Sequence, residues 1–200
     1  MRIKILLAIL ILLPSSVCSQ QVNSNKIEDK MKWFEEAKLG IFIHWGIYSV
    51  NGISESWSFY NGYISHTDYM KQLDGFNAKN YDPKEWANLI AESGAKYTVI
   101  TSKHHDGFAL WDSKYGKLNS LESSKSKKDL LTPFVKEIRG KGLKLGLYYS
   151  LPDWSYKDYT NHTNKIKRYS IQDKPERWQK FLNYRDNQLM ELKSRYKPDL

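Results

Sequence analysis

One cysteine, Cys18, stands in the 200-residue sequence. A single thiol forms no disulfide within the chain, and no Cys-x-x-Cys pair is present to hold a structural zinc. Apolar runs are short as well. The longest, residues 5–13, falls below the roughly 18 residues that a membrane-spanning helix needs. No G-x-G-x-x-G turn follows the first apolar strand, so a dinucleotide site is not indicated. Acidic residues are in deficit, 22 against 31 basic ones, leaving a net charge of +9. Such a balance invites nucleic acid or a membrane surface. The Lys and Arg are spread along the chain, however, and no zinc-finger or RNA-recognition signature accompanies them. Their densest group, Lys125, Lys127 and Lys128, lies in a polar loop and reads as a solvated surface.

Aromatic residues, in contrast, are plentiful: 7 Trp, 14 Tyr and 7 Phe. With 40% hydrophobic residues they argue for a folded domain with a real core, and aromatic faces also stack on the C–H faces of sugars. The N-terminus has the form of a secretory leader. Arg2 and Lys4 precede the apolar run, and small residues at 15–19 offer a cleavage site after Ser19. Cleavage there would remove Cys18. The expected organisation is a signal peptide at 1–19, a polar stretch at 20–30 and a folded domain at 31–200, in a secreted or periplasmic protein. Lipid attachment at Cys18 is the poorer reading, because Ser15-Ser16-Val17 makes a weak lipobox.

Within the domain, hydrophobic pattern and punctuation predict a regular alternation. A helix at 31–39 leads to a buried strand at 41–45 between Gly40 and Gly46. After a long loop, Asp82 caps a helix opened by Pro83, and Gly94 closes it. A β-branched strand at 97–101 runs into Ser102-Lys103-His104-His105-Asp106-Gly107. Asp129 then caps a helix, residues 143–150 form a third strand, a helix spans 174–195, and residues 197–200 approach a fourth strand. Strand–helix alternation of this kind predicts parallel strands with crossover helices. The expected fold class is α/β, a (β/α)8 TIM-barrel-like domain of which the first three to four βα units are present. Active sites of such barrels lie at the C-terminal strand ends.

Polar motifs occupy those ends. His44-Trp45 ends the first strand, where an imidazole could bind a sugar hydroxyl or simply be satisfied in the core. His104-His105-Asp106 ends the second. Adjacent strand side chains point to opposite faces, so both histidines reach one pocket only if the strand has already broken, which Gly107 favours. His44, His104 and Asp106 are also metal-ligand types, which leaves a metal-dependent barrel hydrolase as an alternative. The H-x-H spacing that keeps two rings on one face is absent. Glu55-Ser56-Trp57 adds a carboxylate and an indole, and Tyr148-Tyr149 should send one ring to the interior and the other to the helices.

These motifs carry a specific resemblance. The segments at 38–46, 94–97, 103–108, 110–113 and 146–150 follow one another as in the α-L-fucosidases of glycoside hydrolase family 29, to which residues 31–200 are similar. The resemblance implies a retaining hydrolase on a (β/α)8 barrel, acting on terminal fucose of glycans through an aspartate nucleophile and a separate acid/base carboxylate, with no cofactor. By motif, His44, His104, His105 and Tyr149 correspond to residues holding the fucose hydroxyls. Glu55 and Trp57 resemble the family's Glu-Trp pair, although Ser56 separates them here. The family's nucleophile lies in a Trp-Phe-Asp type segment after a Pro-Asp-Leu-like approach. Pro198-Asp199-Leu200 ends this chain, so both catalytic carboxylates are expected beyond Leu200, and Asp106, Asp153 and Asp199 are not assigned the role. The 200 residues alone are expected to fold poorly and not to hydrolyse fucosides. A fucose-binding protein without catalysis is the further alternative.

Overall fold

The computed structural model describes residues 24–200, so the proposed leader lies outside the described residues. Among the described residues, 24–36 fall in one unit and Ala37–Leu200 form a second. The described part of the first unit is helix α1 (Ser24–Ala37). It starts at Ser24 instead of residue 31, so the second half of the stretch read as polar coil is helical. Lys and Glu are good helix formers, and polarity alone does not mark a loop. Lys38, in the left-handed region at φ 58°, terminates it.

Three parallel strands, in the order β1-β2-β3, organise the second unit: β1 (Gly40–Ile43), β2 (Tyr97–Lys103) and β3 (Lys144–Tyr149). Gly40 pairs with Tyr97, and Tyr97 with Lys144, so the strands start level. The connection from β1 to β2 is less open than its sequence suggests. It folds into the short helices α2 (Trp57–Tyr60) and α3 (His66–Met70) before α4 (Pro83–Glu92). As expected, Asp82 Oδ1 accepts from the N–H groups of Lys84 and Glu85 at 2.9 and 3.0 Å, and Pro83 opens the helix. Between β2 and β3 runs α5 (Leu131–Gly140). Asp129 serves it by accepting the Thr132 N–H at 2.9 Å.

Helices α4 and α5 pack together on one face of the sheet. Ala87, Ile90, Leu131, Phe134 and Ile138 meet Ile100 and Leu145 there in a dry core. A final helix, α6 (Pro175–Tyr196), adds Leu192 and Tyr196 to that core. Beyond it, the Asp199 N–H donates to Leu145 O at 2.7 Å and the Leu147 N–H to Leu200 O at 3.2 Å, which lays the last residues along β3. The sheet's other face is open among the described residues: Phe42 is 52% exposed. No helix among the described residues is long and apolar enough to cross a membrane.

Candidate functional site

Strand β1 starts level with β2 and pairs with it in parallel as far as Ile43 with Ile100, which carries the residue after β1 toward the end of β2. His44 follows β1. β2 gives way after Lys103: its pairing with β3 slips between Thr101 and Lys103, and Gly107, at φ 80°, completes a turn closed by its N–H to His104 O at 3.1 Å. The turn removes the strand alternation that would have separated the two following histidines. The His104 and His105 rings lie 4.7 Å apart, and His44 is 4.9 Å from His104 on its other side.

Helical backbone at Ser56, φ −55° and ψ −21°, distributes the next three side chains around this trio. Glu55 Oε1 lies 3.9 Å from His44 Nε2, and Trp57 meets the His105 ring edge-on at 5.5 Å. Ser56, fully buried between them, turns inward. Its Oγ is 2.5 Å from His104 Nδ1 and accepts the Asp106 N–H at 2.9 Å. The residue inserted between Glu55 and Trp57 therefore does not take either of them away from the histidines.

The β3 end corrects one expectation. Tyr148, not Tyr149, lies against the histidines, its ring stacked at 5.9 Å from His104. Tyr149 is on the opposite side of the strand, donating its hydroxyl to Gln188 of α6 at 2.8 Å, with the Lys103 ammonium 4.4 Å above its ring. Strand alternation is the cause: Tyr148 shares its face with Phe42, whose ring it touches at 5.8 Å, and Tyr149 falls on the other face with Leu145. The loop after β3 supplies Trp154. Its indole stacks on His105 at 4.3 Å and on Tyr60 at 3.9 Å, and the Trp154 backbone N–H donates to His105 O at 2.8 Å.

Burial favours the neutral form of His104 and His105. Burial, followed by the neighbouring rings of His105 and His44, lowers His104 to about 3, and burial also lowers His105. Asp106 is buried too. Burial pushes its carboxyl up to about 6 even though it accepts the Tyr69 hydroxyl at 2.6 Å and the Phe108 N–H at 2.9 Å. Those bonds engage both Asp106 oxygens, and no group of three or more His, Cys, Asp or Glu suited to a metal occurs among the described residues. The metal reading of His44, His104 and Asp106 thus finds no converging ligand set. What the site does offer is neutral imidazole donors and acceptors, one carboxylate and several aromatic faces, a chemistry matched to hydroxyl-rich ligands.

Sequence reasoning did not single out Ser56 or Trp154. Trp154 follows Asp153 in a polar loop and nothing in its spacing marks it, whereas the choice of Tyr148 over Tyr149 could have been read by counting parity from Phe42.

Comparison with known proteins identifies the family. The sequence model of the family described as alpha-L-fucosidase matches residues 12–200. The chain belongs to the α-L-fucosidase family. An alpha-L-fucosidase of Branchiostoma floridae is 36% identical over 70% of this chain and 35% of its own length. The tissue alpha-L-fucosidase of Rattus norvegicus is 32% identical, over 84% of this chain and 38% of its own. Among solved structures, a family 29 α-L-fucosidase of Bacteroides thetaiotaomicron, trapped as a covalent intermediate with 2-fluoro-fucosyl fluoride, superposes with a TM-score of 0.73 at 35% identity. That match covers 84% of this chain and 39% of the other. The chain thus spans well under half the length of these relatives, and its α/β fold with a small parallel sheet is similar to their N-terminal catalytic region.

Proposed function

We propose that the protein containing these 200 residues is an exo-acting α-L-fucosidase that hydrolyses terminal α-L-fucosyl linkages of glycans with retention. In this reading the three strands are the first of a (β/α)8 barrel, whose remaining strands would cover the open face around Phe42. His44, His104 and His105 bind fucose hydroxyls, Glu55 and Trp57 complete one side of the subsite, and Tyr148 takes the place expected for Tyr149. The observation that carries the proposal is the convergence of three imidazoles with Glu55 and Trp57 at the C-terminal strand ends, where barrels keep their chemistry. A covalent intermediate in the Bacteroides thetaiotaomicron relative supports retention.

A retaining mechanism needs two carboxyl groups about 5 Å apart across the scissile bond. Glu55 is the carboxylate open toward the histidines. Asp106 is engaged as described. Asp153 is buried and bonded to Lys103 Nζ at 3.0 Å and to the Ser155 and Tyr156 N–H groups. Asp199 Oδ2 accepts the Leu145 N–H at 2.9 Å near the start of β3, the wrong end of the sheet for the histidines. The nucleophile and acid/base are therefore assigned to residues beyond Leu200. Export through cleavage after Ser19 is part of the same proposal, supported by the leader-like composition of residues 1–19.

Hydrolysis of a chromogenic α-L-fucoside tests this on two polypeptides, residues 1–200 and a form extended to the natural stop codon. The extended form is expected to release the chromophore and the shorter one is not. Turnover by residues 1–200 would overturn the placement of the carboxylates, and inactivity of both forms would overturn the proposed function.

A further inference from the structure

Four buried groups form one hydrogen-bonded chain behind His104. Tyr69 OH donates to Asp106 Oδ2 at 2.6 Å, the Asp106 N–H donates to Ser56 Oγ at 2.9 Å, and Ser56 Oγ lies 2.5 Å from His104 Nδ1. Tyr69 and Ser56 are 0% exposed, Asp106 1% and His104 4%, so water does not compete for these bonds. A serine oxygen has one proton to give. Oγ accepts the Asp106 N–H with one of its two lone pairs, so at the 2.5 Å contact it can either donate its proton to Nδ1 or accept Nδ1–H with the other. A neutral imidazole whose Nδ1 accepts must carry its proton on Nε2.

We propose that Ser56 is a positioning residue for His104: it fixes the ring's orientation and its tautomer, so that His104 presents Nε2–H as a donor to a ligand hydroxyl. The inference rests on the proposed fucose subsite for its ligand but not for its geometry. Ser56 reaches across 48 positions of sequence to the end of β2, and its neighbours Glu55 and Trp57 address His44 and His105. One turn of backbone thus aligns all three imidazoles at once, and only Ser56 does so through a directional bond to a ring nitrogen.

Two measurements on the full-length protein test it. In the wild type, 15N NMR of selectively labelled histidine should show His104 as the Nε2–H tautomer at pH 7; the Nδ1–H tautomer would overturn the assignment. Ser56→Ala should lower kcat/KM for an α-L-fucoside by about 10- to 100-fold, the scale of a misplaced contact group. Ser56→Thr, which keeps the hydroxyl, should recover most of it. A Ser56→Ala protein that keeps its fold and stays within twofold of wild type would sink the proposal. If Ser56→Ala does not fold, the wild-type tautomer decides. The tautomer is read without turnover, so an inactive wild type would count against the fucosidase reading alone.

Discussion

Lys103 and His104 are neighbours in sequence, both almost completely buried, yet one is charged and the other neutral. His104 points to the open end of the sheet among rings, and burial strips its proton. Lys103 points the other way. Burial would lower its ammonium as well, but the Asp153 carboxylate 3.0 Å away and the Tyr149 ring beneath it more than offset that, so it stays above its ordinary value. Burial alone therefore does not decide protonation at the end of β2; the partner does. One residue stabilises the loop that carries Trp154 by a charge, and the next, in the proposed subsite, would serve a ligand by lacking one.

The comparison breaks most severely at Asp153. Asp153→Ala leaves a buried, unpaired ammonium, and in urea denaturation of the full-length protein the expected loss is about 3–5 kcal/mol. Pairing Lys103→Met with Asp153→Leu should restore much of it, because an apolar pair of similar volume needs no compensation. Next in size is His104→Phe, expected to keep the fold and lower kcat/KM by one to two orders of magnitude, about 1.5–3 kcal/mol for a lost polar contact. Smaller is the pH response. Below the ordinary imidazole range the unfolded chain binds protons at His104 and His66 that the folded chain, with values lowered to about 3 and 4, does not. Stability should therefore rise with pH from about 4 to 6.5, by about 1.4 kcal/mol per pH unit for each net proton. Asp106 opposes this between about 4 and 6, because its raised value keeps a proton on the folded form that the unfolded form has lost. Urea midpoints across that range should slope upward, and more gently in His104→Phe. Smallest is Tyr149→Phe, which loses one bond to Gln188, about 1 kcal/mol, and should leave kcat/KM unchanged.

Strand and helix periodicity were readable where local chemistry determines them. Asp82 and Pro83 opened their helix as expected, and the three strands lie within a few residues of their predicted places. The histidine trio was readable for the same reason: His44 follows β1, and His104 and His105 follow β2. Short helices in the first long connection were not legible, since α2 and α3 are too brief to show a period and are held by contacts such as Phe59 with Tyr69 at 4.9 Å. Ser56 was illegible in a different way. Its role depends on Asp106 and His104, which no spacing rule connects to it. The start of α1 was misread because charged residues suit a solvated helix as well as a coil.

The stacking of Trp154 on His105 also makes this corner of the protein an optical reporter. An indole in van der Waals contact with an imidazole loses emission when the ring gains a proton, so the fluorescence of Trp154, isolated by replacing the other tryptophans with phenylalanine, would register both the titration of His105 and the arrival of a ligand above it. Because burial lowers His105, the quenching step should fall below the ordinary imidazole range. A sugar seated on the histidines would move that step, giving an intrinsic signal for occupancy without a label and without turnover.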